Sequence, residues 1–477
     1  MQNLKFSLIM APFVVFVSAA TMATSVVSQE QVLDTFERPE FANEGQWKSS
    51  VKRTILSGQV TSFVLRSKKP CLLVGTPGLR KMQAVNIKKA SAPGYRTGIY
   101  YDALPLLTAD NCKDAKYLQI DASHSMQVGD VQITVVTKTT KAPAVPRVQL
   151  DVEFNNWVMV QAYCGGVGKY CNVESKGLQG MQMLKDHRIS VYKGYPGPAL
   201  PWNTYVLPFN FGDLFAGAGP APGDLKSMGV QSRPKVAYVR DEPKYDTYDT
   251  LLAELRAWKA ADPSVKRKVT MPIRPRDLNP KSSTYGKVID LRKDIRDLID
   301  VYQPVAEEFC VETWPGSKDM YPCEDAYVGK ELGLYISNMS NGAEDGPATG
   351  APDLVIDRSA VESFGFFLMG LKYGQGKLLY YNSIEGWEKA KAKDVWKDPY
   401  QFGGAGDGLL LYPDWLKREA VPSIRLKLLR EASNFADIVA AAKMETQAKT
   451  LMKNPLKWDH DLKKFEKLRA EALKAVR

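Results

Sequence analysis

From about residue 150 onward, apolar strand-like runs alternate with helical patterns, and this rhythm restricts the fold more than any other feature of the chain. VEFNNWVMVQAY is followed by the helical VESKGLQGMQMLKDH and then by RISVYKG and WNTYVLPF. KVAYVR precedes the helix TYDTLLAELRAWKAAD. RKVTMPI, the helix YGKVIDLRKDIRDL and IDVYQPV come next. ELGLYISN, the helix RSAVESFGFFLMGLKYG, KLLYYNS and a last helix PSIRLKLLREASNFADIVAAAK complete the series. About eight strands over roughly 300 residues is the size of a (β/α)8 TIM-like barrel with insertions. A doubly wound open sheet is the alternative. It is weakened because no G-x-G-x-x-G follows the first strand. GGVGKY, 165–170, lacks the spacing of a phosphate loop and reads as a loop beside Cys164 and Cys171.

Residues 30–145 have a different grain. SSVKRTIL, SGQVTSFVLRS, PCLLVGT, QAVNIKKA, KYLQIDAS and VGDVQITVVTKTT are short, alternating and β-branched, with Gly, Pro, Asn and Asp between them. A β-sandwich is expected there. The Pro-containing linker TTKAPAVPRV, 139–148, separates it from the barrel. The reading is therefore multi-domain: a signal segment over 1–23, an N-terminal β-sandwich over 30–145, a (β/α)8 domain over 150–445, and a basic helical tail over 446–477.

The signal reading rests on Lys5, the apolar FSLIMAPFVVFVSAA, and small residues at Ser18, Ala19, Ala20 and Ala23. It predicts a secreted or periplasmic protein. An uncleaved anchor is the alternative, disfavoured by the short apolar run. Six cysteines fit export: Cys71, Cys112, Cys164, Cys171, Cys310 and Cys323. Proximity favours the pairs 71–112, 164–171 and 310–323. With no CxxC and only His124, His187 and His460, neither a structural metal nor a cofactor is expected.

The formal charge is +11. The tail is a candidate contact for an anionic envelope or acidic polysaccharide, and nucleic acid is not expected. The plainer reading is a solvated amphipathic helix with Phe465, Leu468, Ala472 and Leu473 on one face.

Candidate chemistry sits in YVRDEPKY, 238–245. In a barrel, KVAYVRDEP is the fourth strand running into its C-terminal loop, the face where barrel enzymes carry their chemistry. Successive strand side chains point to opposite sides. Asp241 and Glu242 therefore face one substrate only if the strand ends or bulges there, and Pro243 is consistent with an end. Adjacent carboxylates favour one proton between them, giving an acid and a base. Neighbours are poorly placed to flank a sugar from both sides. They suit hydrolysis in which the sugar's own 2-acetamido oxygen is the nucleophile. The structural alternative is a loop whose acids offset a helix dipole. A serine or cysteine hydrolase is disfavoured, since no G-x-S-x-G occurs.

The wider pattern resembles the catalytic barrel of glycoside hydrolase family 123, in its broader form the domain of unknown function 4091. That family carries a strand ending in Asp-Glu-Pro, then a helix and an "a-a-x-P" turn, matched by YVRDEPKYDTYDTLLAELRAWKAADPSVK. LKYGQGKLLYYNSIEGW, DPYQFGGAGDGLLLYP and VPSIRLKLLREASNFADI match later family segments in order. The resemblance spans roughly 150–445. It implies a β-N-acetylgalactosaminidase-like enzyme acting on glycans or glycoconjugates, in which Asp241 orients the acetamido group and Glu242 is the general acid/base. Tyr381, Asn382 and Trp387 are then expected near the sugar, and Tyr335 is a further candidate contact. Tyr381 stands where the family commonly has Trp, and Ala432 replaces a Gly in the closing helix. The gluco sugar stays open beside the galacto one. A non-catalytic carbohydrate-binding protein on the same fold is the second reading, favoured if Arg240 blocks the acids. A different linkage specificity would need a further carboxylate such as Glu312 or Asp407 across the pocket.

Overall fold

The computed structural model describes residues 30–154, 156–165, 174–192, 213–215, 236–261, 263–277, 279–309, 327–342, 347–387, 394–401 and 403–476. The signal-like segment, GGVGKY from its second residue, and the stretch holding Glu312 lie outside these.

Residues 30–141 build two sheets that face each other. One is five-stranded, in the order Trp47–Lys48, Glu30–Leu33, Thr61–Ser67, Tyr117–Ala122, Arg80–Lys81. The other places Ser50–Ser57 parallel to Val131–Lys141, with Met126–Val128 at the edge. Their inward residues follow the period of two that a pleated strand imposes. Val131, Ile133 and Val135 from one sheet meet Phe63, Leu65, Leu118 and Ile120 from the other. The hairpin Gln83–Ile87/Gly98–Ala103 runs from here toward the second half of the chain.

Among its described residues the second half contributes eight parallel strands: β1 Gln149–Glu153, β2 Ile189–Tyr192, β3 Asp213–Phe215, β4 Val236–Arg240, β5 Lys266–Val269, β6 Val301–Tyr302, β7 Glu331–Leu332 continued as Leu334–Ile336, and β8 Lys377–Tyr380. One sheet runs β2-β1-β8-β7 and the other β3-β4-β5-β6-β7. Strand β7 belongs to both because it breaks at Gly333. A Cβ there would stand 3.0 Å from the Gln303 amide, a tight contact that this side chain would have to yield to. Among the described residues every sequential neighbour pair except β2/β3 is hydrogen-bonded, and β8 pairs with β1.

Helices α1 Asn156–Cys164 and α2 Glu174–Asp186 follow β1, and α3 Tyr248–Ala261 follows β4. In α3 Leu251, Leu252, Leu255 and Trp258 are buried, the spacing of one helical face. Helix α4 Val361–Lys372 precedes β8 and is buried on all sides. Helix α5 Ile424–Ala441 starts at Ser423, whose hydroxyl accepts from Leu426 N at 3.2 Å.

Helix α5 is buried along most of its length because it joins the two halves. Arg425 donates to Asp102 at 2.9 and 3.0 Å, and to the carbonyls of Leu354 and Gly406 at 2.9 and 2.6 Å. Lys427 and Arg430 reach Asp121 on the first sheet at 2.8 and 2.6 Å. Glu431 accepts from Ser62 N at 2.6 Å.

The C-terminal helix α6, Leu462–Ala475, buries Phe465, Leu468, Ala472 and Leu473. Phe465 packs on Phe364 and Phe435, and Glu466 accepts from Phe36 N at 2.9 Å. The apolar face is thus filled from within the chain. Lys463, Lys464, Lys467 and Lys474 stand exposed. Among the described residues no helix is long and apolar enough to cross a membrane. Cys71 is bonded to Cys112, and Cys164 is also in a disulfide. Cys171, Cys310 and Cys323 lie outside the described residues.

Candidate active site

The sequence VAYVRDEP makes β4 and then stops it. Val236, Ala237, Tyr238 and Val239 are buried. The register against β5 slips between Tyr238 and Arg240, and the strand ends at Arg240. Two residues later Glu242 has φ +40°, in the left-handed region. A side chain with a Cβ enters that region at a cost of roughly 1–2 kcal/mol, and such strain concentrates at functional sites. The slip and the left-handed residue together cancel the alternation that would send consecutive side chains to opposite faces. Asp241 and Glu242 are both exposed directly after a buried strand.

Three strand ends hold them. Asp241 Oδ1 accepts from the Tyr238 hydroxyl at 2.5 Å and from Thr270 Oγ1 at 2.8 Å. Thr270 follows β5, and its oxygen accepts from Glu242 N at 2.7 Å. Tyr335 on β7 donates its hydroxyl to the Glu242 carboxylate. Burial, then the Glu242 charge, push the Tyr335 pKa well up, so it stays a donor at neutral pH. Lys268 is buried below, its Nζ 4.9 Å from the centre of the Tyr238 ring.

A third carboxylate lies within the field of Glu242. Glu308, just beyond β6, is exposed. Partial desolvation by the surrounding protein, and then the charge of Glu242, raise its pKa against the pull of Arg276. Tyr248 at the start of α3 lies within its field; burial first, and Glu308 next, push that phenol up to about 12. Arg240 is held away on the other side, its Nε donating to Glu254 at 2.8 Å.

The other expected contacts are distributed differently. Tyr335 is 4% exposed, with its hydroxyl turned onto the Glu242 carboxylate. Trp387 is a correction. It is fully buried, its Nε1 donates to Leu411 O at 3.0 Å, and its ring packs edge-on to Tyr163. It is a core residue because the turn after Asn382 carries it inward. Tyr381 and Asn382 are half-buried just past β8. Asn382 Oδ1 accepts from Ser383 N and Ile384 N at 2.8 and 3.0 Å, and its amide donates to Glu385 at 2.7 Å. Tyr381 lies against Gly408, where φ is +67° and a Cβ would stand only 2.6 Å from the tyrosine oxygen and 2.7 Å from Glu385 Cβ.

Asp407 is not an open carboxylate. It is 2% exposed, and the Tyr380 hydroxyl reaches it at 3.1 Å. Burial pushes it up to about 7. Among the described residues no group of three His, Cys, Asp or Glu side chains is gathered to hold a metal ion.

Tyr238, Thr270 and Glu308 went unread in the sequence. The signal for Thr270 was its place at the C-terminal end of RKVT, the active face of a barrel strand. Glu308 had none, since AEEF after a short strand looks like any loop.

The arrangement can accept a hydrogen bond at Asp241 and give or take a proton at Glu242, side by side. No family model and no curated protein matches the chain. Among solved structures, xylanase 10C from Cellvibrio japonicus overlaps with a TM-score of 0.24 and 9% identity, covering 79% of this chain and 88% of that one, too slight a likeness to carry an argument. A family 123 glycoside hydrolase from Clostridium perfringens, studied for glycolipid glycan hydrolysis, superposes with a TM-score of 0.56 at 10% identity, over 94% of this chain and 98% of that one. From its first sheets to its closing helices, this chain shares the fold of a family 123 glycoside hydrolase.

Proposed function

We propose that the protein is an exported glycoside hydrolase that removes terminal β-linked N-acetylhexosamine, N-acetylgalactosamine before N-acetylglucosamine, with retention of configuration. The observation that carries the proposal is the end of β4. It presents two consecutive carboxylates to solvent through a register slip and a left-handed residue. The shared fold supports the class of reaction, and the eight strands support a (β/α)8 barrel behind a β-sandwich.

In the proposed mechanism the acetamido oxygen of the substrate attacks its own anomeric carbon. Asp241 accepts the amide N–H and steadies the positive charge that develops. Glu242 gives its proton to the leaving oxygen as the glycosidic bond breaks. The oxazoline formed is then opened by water, whose proton returns to Glu242. Asp241 Oδ1 already has two donors, which leaves Oδ2 for the substrate amide.

The test is hydrolysis of aryl β-N-acetylgalactosaminide and β-N-acetylglucosaminide by the mature protein, beside Asp241→Asn and Glu242→Gln. Release that both substitutions greatly reduce supports the proposal; release unaffected by either refutes it. The departures from the family pattern at Tyr381 and Ala432 motivate a second reading, a non-catalytic carbohydrate-binding protein. Glycan binding without hydrolysis, unchanged in both variants, would support that reading. The engagement of Arg240 with Glu254 speaks against it, since the acids are left unblocked.

A further inference from the structure

We infer that Thr270 is a positioning residue that ties the two acids into one unit and sets their separate roles; this rests on the substrate-assisted reading above. One hydroxyl serves both residues. Its proton goes to Asp241 Oδ1 at 2.8 Å, and its oxygen accepts the Glu242 backbone N–H at 2.7 Å. A hydroxyl has one proton and two lone pairs, so both bonds form at once. Thr270 is 3% exposed, which fixes its rotamer inside the ring of strands.

The two bonds do different work. The bond to Asp241 acts with the Tyr238 hydroxyl on the same oxygen, so the carboxylate cannot rotate freely. The bond from Glu242 N holds the residue that has left the normal backbone region at φ +40°. Without it, nothing described on β5 opposes relaxation of that turn, and the Glu242 side chain would swing toward the face it takes in a regular strand. Tyr335 holds the Glu242 carboxylate from β7 but does not touch its backbone. Thr270 is therefore the point at which Asp241 and Glu242 are coupled through a neighbouring strand.

Valine matches threonine in shape and lacks the hydroxyl, so Thr270→Val removes both bonds with little loss of packing. Thr270→Ser keeps both. Misplacement of reacting groups by about 1 Å costs on the order of 100-fold in rate. We expect Thr270→Val to lower kcat by about that factor with KM little changed, and Thr270→Ser to restore most of it.

A dinitrophenyl leaving group departs without an acid. It should rescue Glu242→Gln but not Thr270→Val, because the latter also misplaces Asp241. A Thr270→Val enzyme with wild-type kcat, or one fully rescued by dinitrophenyl, overturns the inference while leaving the functional reading intact. Crystal structures of wild type and Thr270→Val give a second readout that needs no activity. Glu242 should leave the left-handed region in the variant. If it keeps its positive φ with Asp241 unmoved, Thr270 is not the tie. Wild-type protein that cleaves neither aryl glycoside sinks the functional reading, and the division of roles falls with it.

Discussion

Asp121→Asn tests the joint that fixes the front sheets to helix α5. Asp121 Oδ1 accepts from Arg430 and Gln119 at 2.6 Å and from Ser62 at 2.8 Å, while Oδ2 accepts from Lys427 at 2.8 Å. Lys427 and Arg430 are only 3% and 4% exposed. An asparagine removes the charge and turns an amide group toward a set of donors. Breaking a fully buried pair from one side costs about 3–5 kcal/mol. Asp121 keeps 29% exposure, so solvent recovers part of this and about 2–3 kcal/mol is expected. Guanidinium unfolding at neutral pH should show a lower midpoint with an unchanged slope.

The pH dependence adds a sign. Burial alone would raise the Asp121 pKa, but Arg430 and then Lys427 hold it well below the ordinary 3.8. A depressed carboxylate stabilises the fold above its unfolded value, and that contribution is lost as pH falls through the folded one. The gap between wild type and Asp121→Asn should therefore be full above about pH 4 and close below it. Adding Lys427→Met and Arg430→Met should recover part of the loss, since the stranded cations are then gone. A variant within 0.5 kcal/mol of wild type at pH 7, or a gap that does not narrow in acid, refutes this account of the joint.

Two further outcomes follow from the site and the disulfide. Glu242→Gln removes a charge that helps raise the Glu308 pKa, so the Glu308 carboxyl, followed by NMR titration, should move to lower pH; an unmoved titration would mean that Glu308 lies outside the field of Glu242. Replacing Cys71 and Cys112 by serine opens a closure of 41 residues, and loop entropy puts the loss at up to about 4 kcal/mol, read as a fall in the unfolding midpoint under non-reducing conditions; an unchanged midpoint would refute it.

Much of the strand order was legible because parallel strands buried on both faces read as apolar runs between helices. The β4 strand, α3 and the place of Asp241 and Glu242 could be read from KVAYVRDEP and the helix after it. The condition that the strand must end or bulge was also readable, since side-chain alternation demands it. What produces the slip was not. The left-handed Glu242 is held by Thr270, 28 residues away, and no local pattern joins those positions. Trp387 failed for a related reason. An aromatic after a barrel strand can line a pocket or plug the space beneath a loop, and only the turn made by Asn382 decides which.

The run GDGLLLYP…PSIRLKLLRE was the most specific part of the family resemblance, and its residues do little at the dyad. Arg425 is 2% exposed, and its donors go to Asp102 and to the carbonyls of Leu354 and Gly406. Tyr412 donates to the same Asp102 at 2.8 Å. Gly408 makes room for Tyr381, and Ser423 caps α5. A buried guanidinium with so many partners tolerates little substitution, because removing any one partner strands a charge or a polar group. The run therefore reports that the two halves are joined in this manner, and it would persist in a chain that had lost its activity. The acids at β4 carry the opposite information. Asp241 and Glu242 are exposed, and their neighbours hold Glu242 in a strained turn that a purely structural loop has no reason to maintain. The most specific part of the resemblance and the proposed activity rest on separate residues, and hydrolysis by Asp241 and Glu242 variants tests the second without disturbing the first.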